Sequence, residues 1–371
     1  YESTPAGTPL ALMLEGEDPD VTEAGDDLDF EIDQNPGNGQ IQNFDPETGA
    51  LDYVPGAVTG TDSFTFTVTD GMGDSAPAEV RIYVYNGWLM EIDVSGIDVP
   101  VLQIGEEAGA TAGYDAGVDQ RLPGGGREGG AAGLLPLNAG DPILQRDVQD
   151  PDDRSEWLLF VEPGTENVQV SWDPAAVPAA EGLYLWELNP AKTDFGNVVD
   201  MSTVDRVELA ASSEARTYAI SSTLVFEYTL HTGWNYLSLP FEPLDPDPAV
   251  VFADPDARDG TVYDGFVWCE DTHSAVPSVH RPVSQIQALV GYWLYAAAPD
   301  SATVEGIPVA DTAPEVIPGW NALGFVSDYE VGGRAEWELP LYIWDAPNQK
   351  FEPVLEGETV PCGAGCSVRK Q

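Results

Sequence analysis

The sequence predicts an all-β fold: tandem β-sandwiches followed by a C-terminal β-domain built on an internal repeat. Three observations predict it. Short segments alternate apolar and polar residues with a period of two, as Ser63-Phe64-Thr65-Phe66-Thr67-Val68 does, which marks strands with one buried face. Turn-forming residues are dense, with 38 Gly and 31 Pro in 371 residues, and they punctuate the alternating runs. A Gly-Trp-Asn motif occurs at 233–235 and again at 319–321, and a recurring motif of this kind marks a repeated unit.

Residues 1–86 form the first expected domain. Leu10 to Leu14, Leu28 to Ile32, Ser63 to Val68 and Ala78 to Val84 read as strands, joined by turns at Asn35-Pro36-Gly37-Asn38-Gly39, Pro46-Glu47-Thr48-Gly49 and Asp70-Gly71. The succession Glu17-Asp18-Pro19-Asp20, Asp52-Tyr53-Val54-Pro55 and Gly60-Thr61-Asp62-Ser63-Phe64-Thr65-Phe66-Thr67-Val68-Thr69-Asp70-Gly71 resembles the cadherin-like and immunoglobulin-like repeats of large bacterial surface proteins. The resemblance implies an immunoglobulin-like sandwich serving in a stalk or adhesive arm.

Residues 87–222 form the second expected domain, another β-sandwich. Strand signals lie at Trp88 to Val94, Val99 to Ile104, Trp157 to Val161, Val168 to Trp172, Leu183 to Trp186 and Arg216 to Ile220. Between them, residues 105–133 are rich in Gly and Ala and read as a long loop. That loop contains Gly124-x-Gly126-x-x-Gly129, a dinucleotide fingerprint on paper, but Pro123 and the surrounding glycines leave no strand-to-helix frame for it. The stretch Gly113 to Asp119, with Val170-Ser171-Trp172-Asp173 and Val199-Asp200-Met201, resembles a β-module found near the ends of secreted bacterial proteins.

Residues 223–371 form the third expected domain. The two Gly-Trp-Asn copies, at about 230–300 and 316–366, resemble C-terminal β-modules of secreted bacterial proteins. Val267-Trp268 is matched by Ile343-Trp344. The first copy closes on Gly291-Tyr292-Trp293, whereas the second reaches Cys362-Gly363-Ala364-Gly365-Cys366, which leaves its completeness open. Trp234, Trp293, Trp320 and Trp344 repeat with the module and are expected in its core. Helical signal is weak throughout and strongest near Asp247 to Phe252.

Charge excludes several functions. With 64 Asp+Glu against 14 Lys+Arg the formal charge is −50, which repels nucleic-acid phosphates and anionic membranes. No run reaches the ~20 apolar residues of a membrane helix. Apolar content of 43% argues for a folded chain. The first domain carries 18 acidic residues against the single Arg81, and acids on turns suit Ca²⁺, which takes oxygen ligands. Calcium is therefore the expected cofactor. The candidate ligands are Glu17, Asp18, Asp20, Asp62 and Asp70 in the first domain, and Asp115 and Asp119 in the second. Adaptation to a salty exterior is the competing cause of the acidity.

Catalytic patterns are sparse. The three histidines, His231, His273 and His280, match no usual zinc spacing even with Cys269 and Asp271 added. No Gly-x-Ser-x-Gly elbow or His-Glu-x-x-His helix occurs. Of the three cysteines, Cys362 and Cys366 are close enough in sequence to form a disulfide, leaving Cys269 over. The chain opens on Tyr1 with no signal-type segment, as expected of a processed, exported protein. The expected function is non-catalytic: an extracellular structural or adhesive protein, such as a cell-surface stalk, surface layer or filament subunit. Its expected partners are copies of itself, through strand edges. The alternative is a carbohydrate-binding module that displays tryptophans to cell-surface glycans.

Overall fold

The computed structural model describes residues 2–16, 28–71, 73–123, 130–151, 154–179, 182–188, 195, 197–212, 214–252, 267–270, 280–296, 298–309, 318–332 and 337–370. The architecture is all-β, as expected. Its helical content among the described residues is one α-helical turn, Pro248–Val251, at the place predicted, and one 3₁₀ turn, Pro174–Ala176. No helix of the described residues is long and apolar enough to cross a membrane. The chain divides into two compact units: residues 1–178 with 205–215, and residues 179–204 with 216–371. The stretch expected to form a middle domain, 87–222, thus contributes to both.

The first unit opens with a seven-stranded sandwich. One sheet runs in the order β1 (Glu2–Pro5), β7 (Ala78–Tyr85), β6 (Gly60–Thr69) and β3 (Asp29–Gln34). The other runs β2 (Leu10–Met13), β5 (Ala50–Val54), β4 (Gln40–Gln42). Period-two alternation decides what lies inside: Phe64 and Phe66 of β6, Leu51 and Tyr53 of β5, and Ile82 and Val84 of β7 meet Phe30 and Leu14 in one core. Burying such side chains stabilises the fold by roughly 1.5–3 kcal/mol each.

Seven further strands follow in this unit: β8 (Trp88–Ser95), β9 (Leu102–Glu106), β10 (Gln120–Arg121), β11 (Ala131–Leu135), β12 (Leu144–Gln149), β13 (Glu156–Glu162) and β14 (Val168–Trp172). They form a mixed sheet in the order β13, β11, β12, β9, β8, β14, extended by Arg206–Leu209, with β10 hydrogen-bonded to β12. The expected long loop at 105–133 is therefore interrupted by β10 and ends in β11. Its fingerprint glycines, Gly124, Gly126 and Gly129, lie outside the described residues. Alternation again selects the buried face: Met90, Ile92 and Val94 of β8, and Trp157, Leu159 and Val161 of β13, are almost fully buried.

In the second unit the sequence repeat becomes a structural one. Gly233–Ser238 pairs with Gly291–Ala296, which pairs with Val267–Glu270, which pairs with His280–Pro282. The second copy repeats the order: Gly319–Leu323, Cys366–Lys370, Trp337–Asp345, Lys350–Val354. The registers align the copies. Gly233 faces Ala296 where Gly319 faces Lys370, so Gly291-Tyr292-Trp293 corresponds to Gly365-Cys366-Ser367. The second copy is complete, and its closing strand simply lacks the aromatic pair. Trp268 faces Trp293 where Tyr342 faces Ser367, so Trp268 corresponds to Tyr342 and the match to Trp344 read from the sequence is two residues out of register.

The conserved chemistry of the two copies is in their Asn and Gly. Asn235, 1% exposed, accepts from the His231 N–H and donates to the His231 and Gly233 carbonyls, closing the turn that leads into its strand. Asn321 is equally buried. Gly291 and Gly365 both lie against Tyr236, where a Cβ would come within 2.5 and 2.8 Å of its side-chain atoms. Three of the four module tryptophans meet the expectation of a packed role, with Trp293 buried and Trp234 and Trp344 packed against it. Trp320 does not: it is 50% exposed, because its position on the second sheet points outward toward Tyr342.

Replacing Gly291 or Gly365 by Ala is expected to destabilise the second unit by about 1–3 kcal/mol through overpacking against Tyr236. Gly332, with open space around its Cβ position, should tolerate Ala within about 0.5 kcal/mol. Denaturant midpoints of the three variants check this.

Candidate functional site

Of the acids singled out in the sequence, Asp62, Asp70, Asp115 and Asp119 are held by backbone N–H groups. Asp62 sits near the start of β6, 6% exposed. Its Oδ1 accepts from Gly37 N at 2.8 Å and Ser63 N at 2.9 Å. Its Oδ2 accepts from Asn38 N at 3.1 Å, Gly39 N at 2.8 Å and the Tyr53 hydroxyl at 2.9 Å. One carboxylate thus clamps the whole Asn35–Gly39 turn onto the sandwich. Gly39 is required there because a Cβ would lie 2.3 Å from the Tyr53 ring. Burial pushes the Asp62 carboxyl up, but the Tyr53, Asn38, Gly37 and Gly39 donors outweigh it, and its pKa is lowered. Asp70 follows the far end of the same strand and accepts from Gly73 N in a local turn.

Asp115 and Asp119 are brought together. Thr111 N donates to Asp115 Oδ2 at 2.6 Å, Asp115 N to Asp119 Oδ2 at 2.7 Å, and Val148 N to Asp119 Oδ1 at 2.9 Å. This relay fastens the 111–119 loop onto β12. Burial, with repulsion from Asp115, raises the Asp119 pKa to about 6 against its N–H donors. Asp147, the next acid on β12, is 3% exposed; burial and the Asp119 charge raise it to about 7. Sequence reasoning missed Asp147, whose neighbours Gln149 and Trp157 carry no acid-site pattern; Gln149 Nε2 donates to its Oδ2.

Glu17, Asp18 and Asp20 lie outside the described residues. Among the described residues no group of three or more His, Cys, Asp or Glu is gathered so that it could hold a metal ion. The expected Cys362–Cys366 disulfide is not made: both are buried thiols. Cys366 is directed into the core formed by Trp337, Leu341, Val354 and Val368, while the Cys362 thiol donates toward the Val326 carbonyl. Burial pushes the Cys366 thiol up to about 12. His273 and Asp271 lie outside the described residues, as do the side chains of Cys269 and His280.

The Asp119 relay borders the junction between the first sandwich and the sheet that follows it. Tyr83 of β7 is 1% exposed and donates its hydroxyl to Glu107 at 2.5 Å. The Arg146 guanidinium of β12 stacks on the Tyr83 ring at 4.0 Å, and its Nε donates to Val118 O at 2.8 Å. Thr61 of β6 donates to Gly117 O at 2.8 Å. These contacts tie the sandwich to the same loop that Asp115 and Asp119 hold down.

Residues 2–83 match the family described as bacterial Ig domain. The match spans the seven-stranded sandwich and ends within β7, so the chain carries a segment similar to bacterial Ig domains, a type of domain that is typically non-catalytic and surface-exposed. No curated protein matches the chain.

Two pH effects of opposite sign are expected in the first unit. Asp62, with a lowered pKa, stabilises above the unfolded value near ~4, and that stabilisation is lost as pH falls through its folded pKa. Asp62→Ala should cost on the order of 3 kcal/mol at pH 7 by stranding buried N–H donors. The Asp119–Asp147 pair, with raised pKa values, holds protons that the unfolded chain has lost, so stability falls between pH ~4 and about 7. Asp147→Asn should therefore raise the melting midpoint at pH 8 and leave it unchanged at pH 4, as read by circular dichroism melts across pH.

Proposed function

We propose that the protein is a non-catalytic extracellular structural or adhesive component, a surface stalk, surface-layer or filament subunit that associates with copies of itself. The observation that carries this reading is the junction after the Ig-like segment. The buried Arg146–Tyr83 stack, the Tyr83–Glu107 hydrogen bond and the Thr61–Gly117 hydrogen bond at the surface interlock two β-domains, which suits a part that holds its geometry under load. The internal duplication of the second unit is the other support, since repeated β-modules supply structure more naturally than a reaction centre. The acidic surface fits a salty exterior, where screening shortens repulsion between copies below the Debye length of about 8 Å that holds at physiological ionic strength.

Electron microscopy and light scattering of the purified chain across a salt and calcium series test this. Ordered or concentration-dependent assemblies that weaken in low salt or chelator are expected. A monodisperse monomer under every condition overturns the self-association.

A further inference from the structure

The chain has few cations, and three of its arginines line one cleft. Arg81 from β7, Arg121 from β10 and Arg146 from β12 border a cavity of about 420 Å³, beside Glu79, Asp119 and the Tyr114 ring. The formal charge of these side chains is positive by one, in a chain at −50. The arginines are pre-positioned by different means. Arg146 is 3% exposed and fixed by Tyr83 and Val118 O. Arg121 lies over Tyr114 at 4.7 Å. Arg81 is paired with Glu79 at 2.8 Å.

Arg121 is the informative one. Acids outnumber bases by 64 to 14, yet among the described residues no carboxylate lies within ion-pair distance of Arg121, whose partner is the Tyr114 ring. A guanidinium presents a fork of N–H donors that matches a carboxylate in bidentate fashion. A single positive formal charge suits a monoanion, and a dianion would meet Glu79 and Asp119 as well as the arginines.

We propose that this cleft is a carboxylate-binding site, with Arg121 as the principal ligand and Arg81 and Arg146 setting the field around it. The carboxylate is that of an acidic sugar or of an acidic side chain on a second copy of the chain. Its walls come from β6 and β7 on one side and β10 and β12 on the other, so an occupant would touch both domains of the junction. The proposal goes beyond the assembly reading, because a carboxylate can bind whether or not copies associate.

Titration calorimetry with sodium D-glucuronate and with glucose, at constant ionic strength, tests it. The wild type is expected to bind glucuronate and not glucose, against the general repulsion of the chain. Arg121→Gln should weaken binding tenfold or more at an unchanged melting midpoint, Arg81→Gln should weaken it less, and the distant, exposed Arg206→Gln should leave it unchanged. Sedimentation velocity separates the sources. Self-association that glucuronate reverses and Arg121→Gln abolishes assigns the site to a second copy. Glucuronate binding by a monomer assigns it to acidic sugars. Equal binding of glucuronate and glucose, no binding of either, or equal affinity in Arg121→Gln and Arg206→Gln overturns the proposal.

Discussion

A buried carboxylate that cannot find a cation must find N–H groups, and this constraint shapes the molecule. Cations are too few to neutralise the acids, and ion pairs such as Arg81–Glu79 and Lys350–Glu352 lie on exposed surface, where such pairs contribute about 0–1 kcal/mol. The acids that matter to the fold are held otherwise. Asp62 takes four backbone N–H groups and a hydroxyl. Asp119 takes two N–H groups, Asp150 takes Gly109 N, Asp141 takes Tyr114 N, and in the second unit Asp328 takes Cys362 N. Asp62 and Asp119 each fix a loop to a strand, and the others join one loop segment to another. Acidity here is structural before it is anything else.

The same scarcity gives the junction its character. Arg146 is a buried cation whose guanidinium stacks on Tyr83, whose Nε donates to Val118 O and whose charge favours the ionised form of Asp119. Two acids close together in a poorly solvated place resist carrying two charges at once. Between pH ~4 and about 7 these acids therefore hold protons that a surface carboxylate would release, and stability there depends on pH in the opposite direction from that of the Asp62 clamp.

Much of the fold was legible because period-two alternation is a local property. Strands β6, β7, β8, β13 and β14 fall where their side chains alternate, and the helical turn falls after Asp247. The role of Asp62 was not legible, since its donors at Gly37 to Gly39 lie more than twenty residues earlier and belong to the backbone. Asp147 and the Arg81, Arg121 and Arg146 cleft depend on which strands become neighbours, and β12 pairs in parallel with β9 across a long connection that leaves no local mark. The repeat was visible in Gly-Trp-Asn. Its second half was obscured because Cys366 and Ser367 replace the aromatic pair, and only the register shows that Gly365 keeps the place of Gly291.

The acid surplus also sets how anything could recognise this surface. An anionic partner, including another copy, approaches against a long-range repulsion that steering cannot overcome, so association is slowed at the encounter stage. The arginines of the cleft act only inside a Debye length of about 8 Å, where the repulsive background is partly screened and geometry decides. Exposed aromatics such as Trp320 and Phe351 act at still shorter range. Recognition by this chain must then rest on close contact rather than on attraction from a distance, and selectivity follows because a ligand that fits poorly gains nothing to offset the field it has crossed.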